Sequence, residues 1–135
     1  MLKKIILPII LFMSLPLLSQ QNDQETIQKL INEVRDSQAI FIRNNEEHSS
    51  QEAAEHLEGK WRRAKSFLWF KTRAKEFTPE QFITHIASKS SFSGESYQIK
   101  FKNGKTILTE TWLNQKLSEI SKNQKKITKE HVKKK

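Results

Sequence analysis

An α+β domain is what this sequence predicts, on three observations. Apolar residues recur three and four apart in several stretches, short runs of β-branched and aromatic residues alternate with polar ones, and a turn dipeptide separates two such runs. The expected architecture is a single domain of about four helices packed on a small antiparallel sheet of two or three strands, with strands near 39–43, 97–102 and 105–109. A chain of 135 residues has room for one modest core. Cysteine is absent, so disulfides, thiolate metal sites and cysteine nucleophiles are excluded together.

The chain opens with the three parts of a secretory signal: Lys3 and Lys4, an apolar run from Ile5 to Leu18, and a polar switch at Ser19 and Gln20. The run falls short of the roughly 20 residues that a bilayer span needs, and Pro8 and Pro16 weaken a straight helix. It therefore predicts a cleaved signal over residues 1–19, although Leu17 makes the cleavage site imperfect. The mature chain is then exported, periplasmic or secreted, with an α+β domain over 20–121 and a tail over 122–135.

In the first segment of the domain, residues 23–37, Ile27, Leu30, Ile31 and Val34 fall at i, i+3, i+4 and i+7, one face of a helix with Asp23 as its cap. Ala39, Ile40, Phe41 and Ile42 form a run of strand length that breaks at Arg43, Asn44 and Asn45. A polar loop then delivers His48, and Ser49 with Glu52 has the capping-box spacing for a second helix over about 50–74. On that helix Ala53, Leu57, Trp61, Ala64 and Leu68 make a core stripe. His56, Lys60, Arg63 and Phe67 lie on its shoulder, where a polar group can be half-buried and still meet a ligand. Gly59 signals either the close approach of another backbone or a tolerated defect.

Thr78, Pro79 and Gln81 start a short third helix whose core face is Phe82, Ile83, Ile86 and Ala87. It runs into a serine-rich loop, 88–94, ended by Gly94. Tyr97, Ile99 and Phe101 alternate with polar residues, Asn103 and Gly104 supply a hairpin turn, and Thr106, Ile107 and Leu108 return as the partner strand. Thr109 or Thr111 caps a last helix with Trp112, Leu113, Leu117 and Ile120 on its apolar face. Beyond Ser121 no apolar period is sustained, and the tail is expected to be disordered.

Phe41, Arg43, Asn44, His48, Ala54, His56, Leu57 and Lys60, followed by Ala87, Ser88, Ser90, Ser91, Ser93, Gly94, Tyr97, Trp112 and Leu113, resemble the pattern of a family of small exported bacterial proteins of unknown function typified by YfeK. The resemblance runs from about Ile27 to Leu117. It implies export and a common fold, and it supplies no mechanism. Where that pattern often has glycine after Arg-Asn, this chain has Asn45, and asparagine tolerates the left-handed conformation.

The candidate ligand-binding residues are Arg43, His48, His56, Lys60, Ser90, Ser91, Ser93 and Tyr97, which a strand end, a helix shoulder and the serine loop can bring together. A guanidinium, an ammonium and several hydroxyls suit an anion such as phosphate or carboxylate. In the competing reading, Arg43 and His56 hydrogen-bond loop carbonyls and pin the serine loop. No catalytic residue, metal ligand or cofactor is expected: a G-x-S-x-G elbow, H-E-x-x-H spacing and a glycine-rich phosphate loop are all missing.

The net charge of +9 is uneven, since residues 122–135 hold seven lysines against one glutamate while the body is nearly neutral. Seven basic residues and no acid over 60–75, with Trp61, Phe67, Trp69 and Phe70 among them, would suit single-stranded nucleic acid or an anionic membrane. The export signal argues against nucleic acid, and lysine and arginine stems covering apolar neighbours explain the same pattern. The lysine tail is expected to touch anionic membrane surface. A second function remains open: Ser93 to Tyr97 reads S-G-x-x-Y, similar to a short motif that periplasmic inhibitors of lysozyme, which are β-barrels, insert into the enzyme's cleft. On that reading the protein acts on an envelope enzyme.

Overall fold

The computed structural model describes residues 15–72 and 77–134. The signal segment up to residue 14 lies outside them, and residues 15–21 and 67–72, with Phe67, Leu68, Trp69 and Phe70 among them, are described in backbone only. Helix α1, Leu15–Asp36, starts well before the expected cap, so Asp23 is an interior helix residue. Its predicted face is the deepest part of the core, with Ile27, Leu30, Ile31 and Val34 all at 0 % exposure. The chain leaves α1 through Gln38 at φ 53, a left-handed residue that turns it into the sheet.

Strand β1, Ile40–Arg43, does not end in a loop. It pairs with β2, Glu46–Ser49, in a hairpin closed by Asn44 and Asn45 alone, and both asparagines have positive φ. A two-residue turn of this hand is the one that matches strand twist, and asparagine occupies it at low cost. The expectation of two or three strands is therefore corrected to four. β3, Gln98–Lys100, and β4, Thr106–Leu108, complete an antiparallel sheet in the order β2-β1-β3-β4. The β3–β4 hairpin is wider than an Asn-Gly dipeptide suggests. Phe101 N–H donates to Lys105 O, Gly104 N–H donates to Phe101 O, and only Gly104 has positive φ, which makes a three-residue loop with a glycine bulge.

Helix α2, Ser50–Thr72, carries the predicted capping box: Ser49 N–H donates to Glu52 Oε2 at 2.8 Å, and Glu52 N–H returns to Ser49 Oγ at 3.2 Å. A Cβ on Gly59 would meet the Arg63 guanidinium and no other backbone, so this glycine is a tolerated defect. Helix α3, Pro79–Phe82, has the full Thr78 and Gln81 box and continues as a π-helical turn, Ile83–Ala87. Helix α4, Thr109–Lys133, is preceded by Leu108 at the cap position, with no side-chain cap from either threonine.

Over 122–135, where a disordered tail is expected, α4 continues to Lys133 with its last turns exposed. Lysine, glutamine and glutamate are good helix formers, and extending a helix already nucleated on a core avoids the cost of starting one. The helices cover the sheet face that carries Phe41 and Ile99. Phe41 meets Trp112 edge-on at 6.2 Å, and Trp61 meets Phe82 at 6.1 Å. The other face carries Gln98 and the Lys100–Glu47 ion pair.

Candidate functional site

Strand alternation places the sheet's contribution to the site. Phe41 lies opposite both His48 and Ile99 in the register. Arg43 and Tyr97, each two residues further along, share that face at the end where the core stops. Helix α2 lays His56, Lys60 and Arg63 across them at i, i+4 and i+7, and the loop after the π turn closes the remaining side. The loop is itself tightly held. Ser90 and Glu95 join backbones at 2.9 Å, Gly94 returns to Ser90 O at φ 73, Tyr97 N–H donates to Ser88 O at 2.8 Å, and Ser90 Oγ accepts from the amides of Phe92 and Ser93.

Two depressions result, and they share Arg43, His56 and Tyr97. The larger is an open polar cleft of about 350 Å³ whose remaining walls include Asn44, Lys60, Arg63, Ser90, Ser91 and Phe92. The smaller, about 170 Å³, is walled by apolar side chains between β1 and the start of α2, with His48 and Thr109 on its lining. Of the eight residues expected at the site, Arg43, His56, Lys60, Ser90, Ser91 and Tyr97 line the cleft. His48 lies in the smaller cavity. Ser93 lines neither, and its Oγ donates to Asn44 Oδ1 at 2.9 Å, clipping the serine loop to the β1–β2 turn.

The structure changes who pins the serine loop. Lys60, 8 % exposed, donates its ammonium to Ile86 O at 2.6 Å and Lys89 O at 2.8 Å, with the Tyr97 hydroxyl 3.5 Å away. The carbonyl of Ile86 is one that the ending π turn leaves without a helical donor, and a cation at a helix C-terminus also meets the favourable end of its dipole. Neither Arg43 nor His56 bonds a loop carbonyl among the described residues.

No carboxylate lines the cleft among its described residues, and none lies within ion-pair reach of Arg43, Lys60 or Arg63. The electrostatic result is visible in two groups. Burial, then the charges of Arg43 and Arg63, lowers Lys60 to about 8. Burial, then Arg43, Lys60, Arg63 and His48, lowers His56 to about 4. At neutral pH the imidazole is uncharged, with Nε2 3.5 Å from the Tyr97 hydroxyl, and Lys60 is mostly an ammonium. Burial also raises Tyr97.

This arrangement can hold a negative group by charge and by hydrogen bonds. Among the described residues no acid is placed to orient His56 as a base for a serine. Among the described residues no group of three or more His, Asp or Glu side chains is placed to hold a metal ion. Sequence reasoning left Arg63 on the helix shoulder without assigning it to the site, although it lies one turn on from Lys60. The local pattern at Thr109 fits a helix cap, and nothing in it points to a cavity. The S-G-x-x-Y stretch does not present its tyrosine: Ser93 to Ser96 are exposed and Tyr97 is 6 % exposed beneath the cleft.

A family model described as a family of unknown function (DUF5329) matches residues 21–121. No curated protein and no solved structure matches the chain.

Proposed function

For a chain that belongs to DUF5329, a family of unknown function, we propose a binding role: this protein holds a small anion, or an anionic group of a larger envelope component, in the cleft over Arg43, Lys60 and Arg63. The observation that carries the reading is three cationic side chains converging on a cleft whose described lining contains no carboxylate. Like charges gathered without counter-charge raise the energy of the free protein, and an anion relieves that cost. Inhibition of an envelope enzyme through the S-G-x-x-Y stretch would need an accessible tyrosine, and the inward Tyr97 does not favour it.

Sulfate is the cleanest probe, because its charge is constant over the working pH range. Sulfate is expected to raise the urea midpoint of the protein beyond chloride at equal ionic strength, following the mass-action stabilisation of a ligand that binds only the folded state. Arg43→Gln and Arg63→Gln should each weaken this binding about tenfold, which corresponds to about 1.4 kcal/mol. The ligand-free Arg43→Gln protein should be at least as stable as the unchanged one, since a repulsion is lost and no bond is broken. Equal midpoints in sulfate and chloride would reject the anion site.

Export and the finer resemblance to the YfeK-type proteins belong to the same proposal. Lys3, Lys4 and the apolar run to Leu18 support a cleaved signal, and the exposed lysines of the α4 extension support contact with anionic lipid. The exported form should have an intact mass lower by that of about 19 residues. It should bind phosphatidylglycerol vesicles in a salt-sensitive manner that deletion of 122–135 abolishes with little change in Tm. A full-length mass, or equal vesicle binding after deletion, would overturn the corresponding half.

A further inference from the structure

We infer that the ligand is an amphiphilic anion, a phosphate or carboxylate carrying one small ring or a short branched acyl group, with its hydrocarbon part in the cavity between β1 and α2. This rests on the anion reading above and adds the class of molecule. The cavity holds about 170 Å³ and its walls include Phe41, Ala53, Leu57 and Ala87. An apolar cavity of roughly 150 Å³ is enough to take up benzene, so one six-membered ring fits and a fused pair does not.

Charge fixes which way the ligand lies. Glu52, on the lining, is committed to the helix cap, where Ser49 N–H and Oγ both donate to its Oε2 at 2.8 Å, and it stays ionised. An anionic head is repelled from that end. Arg43 lines the cavity and the cleft alike, so an anionic head held at its guanidinium leaves the hydrocarbon part within reach of the cavity.

The test is calorimetric titration of the full chain with methyl phosphate, phenyl phosphate and phenol at pH 7. Phenyl phosphate should bind at least tenfold more tightly than methyl phosphate, with phenol weaker than either. Ala53→Leu, at a half-buried wall position, should bring phenyl phosphate down to the affinity of methyl phosphate, and Ala53→Val serves if the leucine variant does not fold. Equal affinities for the two esters would overturn the amphiphile while leaving the anion site standing. A phenyl advantage that survives a folded Ala53 variant would place the ring elsewhere and overturn it too. Absence of binding by both esters would remove the anion site along with it.

Discussion

Replacing Lys60 by alanine is expected to lower the unfolding free energy by about 4 kcal/mol. The ammonium is held by Ile86 O and Lys89 O, and losing two charge-assisted bonds costs roughly 3 to 6 kcal/mol. Against this, a lysine lowered to about 8 is disfavoured as a cation, and removing it returns about 3 kcal/mol. The balance is near 1.5 kcal/mol, to which the three buried methylenes beyond Cβ add about 2.4. Lys60→Met separates the parts: it keeps the stem and should cost only the balance. Urea unfolding of both variants measures the difference. Faster amide exchange at Tyr97, whose N–H holds Ser88 O, would report that the serine loop has loosened. A methionine variant as stable as the unchanged protein, with unaltered exchange, would show that the ammonium does not pin the loop.

That prediction divides residues which the sequence presents as one group. Arg43, His56 and Lys60 all read as half-buried polar positions beside a serine loop. The structure makes Lys60 the support of that loop and leaves Arg43 directed at the cleft without a partner acid among the described residues. Helix periodicity could place Lys60 on the shoulder of α2, but whether its head reaches water or carbonyls depends on where the π turn ends, and no local pattern encodes that. The same limit applies to β2. Glu46, Glu47 and His48 lack strand character, and they pair because the Asn44–Asn45 turn delivers them to the edge of β1. What periodicity did reach is the helical core, since Ile27, Leu30, Ile31, Val34, Leu113 and Leu117 are buried as their spacing requires.

The stability of the protein should fall steeply on the acid side through His56 and rise on the alkaline side through Lys60. His56 titrates near 4 in the folded chain against 6.5 unfolded, because burial and then Arg43, Lys60, Arg63 and His48 oppose its charge. Between those values the unfolded chain binds the proton and the folded one does not, so stability is lost as pH falls. Lys60 follows the same sign at higher pH. From about 8 to 10.5 the unfolded chain keeps a proton that the folded one has released, and stability increases with pH over that window. Other acids titrate below pH 5 as well, so the measurement is the difference between the unchanged protein and His56→Gln, taken by urea unfolding at pH 4.5 and 7. The glutamine variant should lose clearly less stability across that interval, and parallel losses would show that His56 is not held neutral. Saturating sulfate sharpens the test. An anion over Arg43 and Arg63 offsets the charges that oppose protonation, so sulfate should bind more tightly at pH 4.5 than at 7 in the unchanged protein, and this gain should shrink in His56→Gln. The proton taken up on binding then ties the acid sensitivity of the fold to the occupancy of the cleft.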